Sequence, residues 1–327
     1  MDALSDALRV LRLTGAVFVD AENTAPWCVT SHSGNPTGPG LLSGPDIVFF
    51  HVFTEGRCKA RLASGGDTLD IRAGDVLLLP GDDHHVLGSD LRLPPTPGED
   101  LLQPAGDGGY LRVRHGGGGE KTRFVCGFLR FDQRLCGPIL RTLPRILRVQ
   151  LGEAQAPAWV TNLLQIGMRE TAATQPGGGT VLVKLSELLF VEAMRRYVEQ
   201  LPEGETGWLA GLRDRYVSRA LALLHERPDH AWTVEALAEE VALSRSALAQ
   251  RFTDIIGQGP MQYLTRWRLT IAAQRLRSEH ASVGRIAAAS GYDSDAAFNR
   301  AFKRAFGTTP AAWRRGAASG NSEAAVC

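Results

Sequence analysis

Two stretches near the end of the chain share one pattern 50 residues apart: SRSALAQRFTDIIGQGPMQY at residues 244–263 and SDAAFNRAFKRAFGTTPAAW at residues 294–313. Six positions match in order: a serine, apolar residues four and eight positions later, a glycine, a proline and an aromatic residue. Serine favours a helix N-cap, residues at +4 and +8 share a helix face, glycine ends a helix and proline suits a first turn. Each copy therefore predicts a capped helix that packs through one apolar face and is followed by another helix.

A shorter amphipathic segment precedes each copy, at Val234–Val241 and at Val283–Ser290. A short helix, a tight turn and a capped second helix form the helix-turn-helix pattern. An ordinary helical hairpin explains one copy equally well, but two copies in register favour a duplicated helix-turn-helix. Between them, Met261–Glu279 predicts a helix of 19 residues, roughly 28 Å long, which can hold two recognition helices about one duplex turn apart.

Charge is divided unevenly along the chain. The 327 residues carry 36 Lys and Arg against 35 Asp and Glu, a formal net charge of +1. Residues 212–316 hold 16 of these cations and 10 of these carboxylates, a net charge of +6, which leaves −5 for the rest. A basic helical segment joined to an acidic remainder is typical of a DNA-binding module fused to another domain.

The closing run Gly291-Tyr292-Asp293-Ser294 and onward through Trp313-Arg314 resembles the signature of AraC-type (arabinose-regulator-like) transcription factors, and residues 212–315 look like their DNA-binding domain. The resemblance implies double-stranded DNA as partner. It also implies that groove-facing residues lie early in each second helix: Ser246, Ala249 and Gln250 with Arg245 and Arg251 beside them, and then Asp295, Ala296, Asn299, Arg300 and Lys303.

Side-chain chemistry makes the two copies unequal as readers of DNA. Gln and Asn can bond adenine edges and Arg can bond guanine, whereas Ala offers a contact of methyl size. The first copy is therefore poorer in base-reading side chains. Arg266, Arg268 and Lys303 are expected to hold phosphates, with a solvated surface position as the alternative for each arginine.

The first part of the chain predicts a β domain. Short apolar or alternating runs separated by turn residues indicate a sandwich or small barrel: Asp46–Phe53, Arg57–Leu62, Thr68–Arg72, Val76–Leu79 and Thr122–Phe131. The stretch Gly88–Gly119 holds nine Gly and four Pro, which predicts a long flexible loop. From about Pro138 the period becomes helical, with helices over Trp159–Thr171 and Thr180–Gln200.

The run Gly74–His85 resembles the second motif of cupin barrels, with His85 at the histidine position. His51 lies in a weaker match to the first motif, where Phe53 replaces the usual second histidine. Residues 1–200 as a whole resemble the cupin-type sensor that accompanies many AraC-type regulators. The resemblance implies an effector-binding barrel, and Trp27, His51 and His85 are the candidate contacts to an unknown small molecule.

Two alternatives remain open for the sensor. A cupin metal needs three or four converging ligands, whereas His51 and His85 supply two; we therefore expect no metal, no other cofactor and no catalytic residues, and a metal-dependent cupin enzyme is the less favoured alternative. His32, His84 and His115 show no spacing that adds a ligand. A redox-gated regulator would use the sensor cysteines, with Cys126 and Cys136 as the candidate pair.

These observations predict an α+β chain in four parts: a cupin-like effector-sensing barrel (1–137), a helical connector that could dimerise the protein (138–206), an AraC-type double helix-turn-helix domain (207–316) and a flexible tail (317–327). The apolar run Val181–Leu201 fits either a homodimer contact or packing onto its own barrel. Short apolar runs and an acidic start favour a cytoplasmic protein without a membrane partner.

Overall fold

The computed structural model describes residues 3–10, 19–31, 47–81, 83–104, 111–131, 143–152, 157–172 and 177–323. The chain divides into two compact units. The sensor unit comprises Leu13–Gln133 with Leu143–Gln200, and the helical unit comprises Met1–Arg12, Arg134–Thr142 and Leu201–Cys327.

The strands of the sensor unit lie in two sheets. Their bounds are β1 Val19–Thr24, β2 Cys28–Ser31, β3 Ile47–Glu55, β4 Arg57–Leu62, β5 Leu69–Arg72, β6 Asp75–Leu79, β7 His85–Gly88, β8 Thr96–Pro97, β9 Gln103–Pro104, β10 Leu111–Gly116, β11 Lys121–Arg130 and β12 Leu147–Gln150. The large sheet has the order β12-β6-β3-β11-β1-β10-β9 and the small sheet the order β5-β4-β7-β2-β8. Within the described residues these strands form two sheets and no closed barrel. The prediction of a cupin-like β domain therefore holds, but the predicted closed barrel does not.

The core of the sensor unit follows from strand alternation. Phe53 of β3 pairs with Phe124 of β11, and both side chains are buried in a cluster that also holds Trp27. Burying each such aromatic side chain contributes on the order of 1.5–3 kcal/mol. The helices α2 (Ala158–Ala172) and α3 (Gly178–Gln200) pack together, and α3 also packs on β11 and β12. The two helices thus cover one end of the large sheet. His51 of β3 is buried in the interior of the unit.

Several strands differ from the sequence prediction. Residues 88–119 were expected to form a flexible loop, but they contain β8, a 3-10 helix over Gly98–Leu101, β9 and β10. Gly116, with φ of +123°, lies so close to β1 that an added Cβ would be 1.9 Å from the carbonyl oxygen of Thr24. The glycines here thus permit strand contact as well as turns. β12 lies where helix was expected, because Leu147 and Val149 bury one face of a strand of four residues.

The helical unit contains α1 Ala3–Val10, α4 Trp208–Gly211, α5 Arg215–Glu226, α6 Val234–Glu240, α7 Arg245–Ile256, α8 Pro260–Ser278, α9 Val283–Ala289, α10 Asp295–Phe306 and α11 Pro310–Glu323. Helix α1 packs on α5 and α8 through Ala3 and Ala7, although the sequence assigns it to the sensor. Helix α11 continues to Glu323, where a flexible tail was predicted from residue 317. The domain boundaries otherwise stay a prediction.

Candidate DNA interface and sensor interior

The repeat produces two helix pairs of matching local geometry, α6 with α7 and α9 with α10. Ser244 and Ser294 cap the second helix of each pair, and each hydroxyl accepts from the backbone N–H three residues on, at 3.2 Å. Gly257 and Gly307 end these helices in the left-handed conformation, with φ of +81° and +73°. The capping and termination predicted from the sequence are therefore confirmed.

The turn inside each pair closes through the same backbone bond. The N–H of Leu243 donates to Ala238 in the first pair, and the N–H of Tyr292 donates to Ala287 in the second. A residue with positive φ precedes each donor, Ala242 in one turn and Gly291 in the other. The second turn is one residue longer, and the addition falls after this bond, immediately before the capping serine.

In the first pair, the candidate residues lie on α7 with their polar groups engaged within the protein. Arg245 Nε lies 2.7 Å from Glu235, and Gln250 Nε2 donates to Asp254 at 2.7 Å. Ser246 is exposed and Ala249 half-buried. Arg245 and Gln250 must leave these partners to reach bases, and the weaker base reading of this copy stays a prediction.

Arg251, also predicted at the groove, forms an ion pair that supports the fold. Its Nε donates to Asp214 at 2.8 Å, and the same carboxylate caps α5 by accepting from the N–H groups of Tyr216 and Val217. Burial opposes ionisation of Asp214, but these hydrogen bonds outweigh burial and hold its pKa below the ordinary value. Arg251 therefore ties α7 to the start of α5.

The second pair presents more accessible positive charge. Arg300 and Lys303 are exposed on α10, and within the described part of the chain neither has an ion-pair partner. Asn299 donates its amide to the carbonyl of Asp295 at 2.7 Å, whereas Asp295 and Ala296 are exposed at the start of the helix. This distribution makes α10 the stronger candidate for phosphate and base contact.

The two arginines expected at phosphates differ in position. Arg266 is exposed on α8, but Arg268 points into the loop between α5 and α6. Its Nε donates to the carbonyl of Pro228, and its terminal nitrogen donates to His230 at 2.7 Å. Burial lowers the pKa of Arg268. The structure thus gives Arg268 a role within the helical unit that the sequence did not indicate.

A buried aromatic cluster also escaped the sequence analysis. The hydroxyl of Tyr263 accepts from Trp208 Nε1 at 2.7 Å and lies 2.6 Å from His225 Nε2. The His225 ring stacks on Trp267, with centroids 3.9 Å apart. The sequence feature that could have indicated this cluster is the last position of the repeat, where Trp313 corresponds to Tyr263. Trp313 donates to the carbonyl of Ala273 on α8 at 2.9 Å, and Tyr263 itself lies on α8. In both copies a buried aromatic residue thus forms a hydrogen bond that joins α8 to another helix.

The sensor interior brings two of the three candidate effector residues into direct contact. His51 Nε2 lies 2.7 Å from His85 Nε2, His51 Nδ1 lies 3.0 Å from Cys126 Sγ, and His85 Nδ1 lies 3.1 Å from the carbonyl oxygen of Asp83. Because a carbonyl only accepts, a neutral chain has one arrangement of protons. The thiol donates to His51, which donates to His85, which donates to Asp83. Each polar atom of this chain is then satisfied.

Burial keeps this chain uncharged. The pKa of His51 is lowered well below its ordinary value, by desolvation first and by the charge of His85 second. Desolvation and the field of Asp20 raise the pKa of the Cys126 thiol. Cys136, the other candidate redox cysteine, lies outside the described residues, as does His32. Among the described residues, no group of three or more His, Cys, Asp or Glu side chains is placed to hold a metal.

Trp27 is linked to this chain through Phe124. Its ring is 1% exposed and stacks on Phe124 at 6.2 Å, and Phe124 in turn meets His51 edge-on at 5.7 Å. The indole Nε1 of Trp27 has no hydrogen-bond partner among the described groups. An unsatisfied buried donor costs about 1–3 kcal/mol. The Trp27 N–H is therefore a donor in the interior that a ligand could satisfy.

Comparison with known proteins identifies the chain. A family model described as Cupin matches residues 2–199, and a helix-turn-helix domain model matches residues 237–316. Within the described ranges, no helix is long and apolar enough to cross a membrane. The fold and its matches define a regulator that joins a cupin domain to a DNA-binding module.

The relatives agree on the family. An AraC-like transcription regulator of Streptomyces antibioticus is 32% identical over 316 residues, covering 96% of this chain and 99% of that protein. The RCS-specific transcriptional activator RclR of Escherichia coli is 29% identical, covering 96% and 97%. The DNA-binding domain of AdpA, solved with a target DNA, is 30% identical over 32% of this chain and 92% of that chain, with a TM-score of 0.30. The chain belongs to the AraC-like family of DNA-binding transcription regulators and is not an enzyme.

Proposed function

We propose that this regulator binds its effector in the sensor interior, against Trp27 and the pair formed by His51 and His85. The observation that carries the proposal is the unpartnered indole N–H of Trp27, buried on the far side of Phe124 from a neutral histidine pair. An effector that binds there loses its hydration, and burying an unpaired charge is costly, so an uncharged molecule suits the site. A hydrogen-bond acceptor on the molecule would pair with the Trp27 N–H. Binding such a molecule shifts the population of the regulator between states with different affinity for its operator.

For the helical unit, we propose a double helix-turn-helix in which α7 and α10 enter successive major grooves. Helix α8 has 19 residues, a length of roughly 28 Å, which supports a separation near one duplex turn. The exposed Arg300 and Lys303 support α10 as the main contact. The remaining candidates are Arg245, Ser246, Ala249, Gln250, Asp295, Ala296, Asn299 and Arg266.

We also propose that the protein acts as a homodimer through α2 and α3. Among the side chains that the structure describes, each helix exposes two large apolar ones seven residues apart, a spacing that places them on one face. The four are Trp159 and Ile166 on α2, and Val181 and Leu188 on α3, with exposed fractions of 36–49%. A two-fold dimer would present two copies of the DNA-binding unit to a symmetric operator.

Redox gating is the second candidate, because His51 Nδ1 stands 3.0 Å from Cys126 Sγ and could accept the thiol proton. Burial opposes it by keeping the thiol protonated. The two candidates separate when operator binding is measured for wild type and Cys126→Ser, before and after mild oxidant. Equal responses remove Cys126 from the mechanism, whereas a response lost in the variant favours redox gating.

The experiment that tests the proposal combines selection of DNA from a random pool with mass spectrometry of gently purified protein. Selection without sequence preference contradicts the DNA assignment. An uncharged molecule that copurifies with wild type but is lost in Trp27→Phe supports the interior site, since Phe keeps an aromatic side chain there and removes the N–H. Trp159→Phe, an exposed tryptophan of the same unit, is the matched control and should retain the molecule.

A further inference from the structure

A cleft of about 880 Å³ opens beside β4 and β5 of the small sheet. None of the candidate effector residues lines it. Four cations and two carboxylates do: Arg57, Lys59, Arg72 and Arg148 against Asp70 and Glu120. This surplus of positive charge belongs to the acidic part of the chain, where the overall charge gives no reason to expect it.

The strand register brings two of these cations together. Arg57 of β4 is directly opposite Arg72 of β5, and both side chains are exposed on the same face. Like charges directly opposite each other across two strands destabilise the pair. The register therefore places two positively charged side chains opposite each other, and an anion between the two guanidinium groups would reduce their repulsion.

The carboxylates within the cleft do not neutralise it firmly. Arg57 lies 3.3 Å from Glu120, with 77% and 58% of these side chains exposed. Lys59 lies 2.7 Å from Asp70, with 50% and 80% exposed. Ion pairs this exposed contribute little, so an anion of higher charge can take over their cations with small loss.

The other two cations complete the cleft. Arg148 is held in place, because its Nε lies 3.1 Å from the fully buried Asp75 and its Nη1 donates to the carbonyl of Asp70 at 2.9 Å. Among the described residues Arg72 forms no ion pair, although its charge acts on Asp75, whose pKa burial raises and Arg72 helps to lower. One cation is therefore fixed, and the other is held only by this longer-range attraction and can turn toward a ligand.

We propose that this cleft is a second ligand site that binds a small dianion, one carrying a phosphate or two carboxylates, between Arg57 and Arg72. Guanidinium groups bind both kinds of anion through paired N–H donors. Lys59 and Arg148 flank the anion. The site is separate from the proposed effector site in the interior, and its existence does not depend on that site.

The cleft also touches the segment that carries Trp27. Ala25, Pro26 and Ser89 line it, and the Ser89 hydroxyl accepts from the N–H of Trp27 at 2.9 Å and donates to the Trp27 carbonyl at 3.2 Å. The cleft thus borders the segment that carries a candidate effector residue. If a ligand at one site changes the affinity at the other, the change is reciprocal.

The test is calorimetric titration of the full-length protein with inorganic phosphate, pyrophosphate and citrate at constant ionic strength. We expect at least one of them to bind, and we expect Arg57→Gln and Arg72→Gln each to weaken the affinity about tenfold or more. The matched control is Arg92→Gln, an exposed arginine of the same unit that pairs with Asp90 outside the cleft. It should bind as wild type does, and thermal unfolding should show all three variants folded.

Three results would overturn the proposal. The first is no binding of any of the three anions, and the second is an equal loss of affinity in Arg92→Gln. The third is displacement of the anion by duplex DNA that itself binds less tightly to Arg72→Gln, which would make the cleft a nucleic-acid surface. None of these outcomes bears on the interior effector site, which the Trp27→Phe experiment tests alone.

Discussion

His51 and His85 share a buried hydrogen bond of 2.7 Å between their Nε2 atoms, and both rings are 1% exposed. One ring must donate and the other accept, and in the neutral chain the Cys126 thiol donates to the remaining nitrogen of His51. A proton added to His85 would place a second N–H in the contact between the rings, and a proton added to His51 would place an N–H against the Cys126 thiol. This relationship makes the sensor unit sensitive to acid.

The first prediction concerns pH. The folded pKa of His51 lies well below the unfolded value of about 6.5, so below that pH the unfolded chain binds a proton that the folded chain does not. Stability should therefore fall as pH drops below about 6.5, by roughly 1.4 kcal/mol per pH unit for this group. Calorimetric unfolding between pH 7.5 and 5 measures the slope.

The matched variants for this prediction are His51→Gln and His280→Asn, since His280 is exposed. The slope of stability against pH should become smaller in His51→Gln and remain unchanged in His280→Asn. His225 adds a second contribution with the same sign, because burial lowers its pKa to about 3. A slope that His51→Gln leaves intact would show that the histidine pair does not carry the effect.

The second prediction concerns the Tyr263 hydroxyl. Tyr263→Phe leaves Trp208 Nε1 and His225 Nε2 buried without their shared partner, which should lower the free energy of unfolding by about 1–3 kcal/mol. Tyr292→Phe is the control, since within the described chain the buried Tyr292 hydroxyl has no hydrogen-bond partner. Its loss should be neutral or stabilising. Equal destabilisation of both variants in chemical denaturation would contradict this account.

The third prediction separates DNA contact from support of the fold. Lys303→Gln and Arg300→Gln should each weaken operator binding and reduce the slope of log K against log salt by about 1, because each removes one phosphate contact. Arg251→Gln should instead lower stability, through the lost ion pair with Asp214, and leave the salt slope unchanged. Binding titrations at several salt concentrations test this. An unchanged slope in both α10 variants would remove that helix from the interface.

The fourth prediction concerns the dimer. Leu188 is 49% exposed on α3, and Leu188→Glu places a charge in the proposed apolar contact. Sedimentation should show monomers for this variant and dimers for wild type. Arg92→Gln, an exposed change of the same unit outside α2 and α3, should remain dimeric. A monomeric wild type at the concentrations that bind operator would contradict the proposal.

The helical unit could be predicted well because its signals are local. Caps at Ser244 and Ser294 and ends at Gly257 and Gly307 depend on a few adjacent residues, and the structure has them at those positions. The sensor strands were harder. β1 has the sequence VDAENT, which looks too polar for a strand in a sheet. Asp20 and Glu22 are tolerated there because they pair with arginines on neighbouring strands, and those partners are distant in the sequence.

The candidate sites divide in the same way. Local motifs placed His51 and His85, and the structure brings these two rings into contact. Nothing near Cys126 in sequence showed that its thiol meets His51, since 75 residues separate them. The roles of Arg251 and Arg268 were likewise hidden, because their partners lie about 40 residues away on other helices or loops. Spacing along the chain identifies which side chains could act, but long-range partners decide which are free to do so.

Arg268 has a consequence for the choice of operator. Its guanidinium holds the loop before α6 and also covers the turn before α10, where a Cβ on Gly291 would lie 3.0 Å from Arg268 Cζ. One side chain thus contacts both helix pairs and restrains the offset between α7 and α10. If these helices contact DNA as proposed, a base pair inserted between their sites turns the second site by about 34–36° around the DNA axis, and the duplex must twist to compensate. Operators should therefore be selected by helical phase as well as by base sequence.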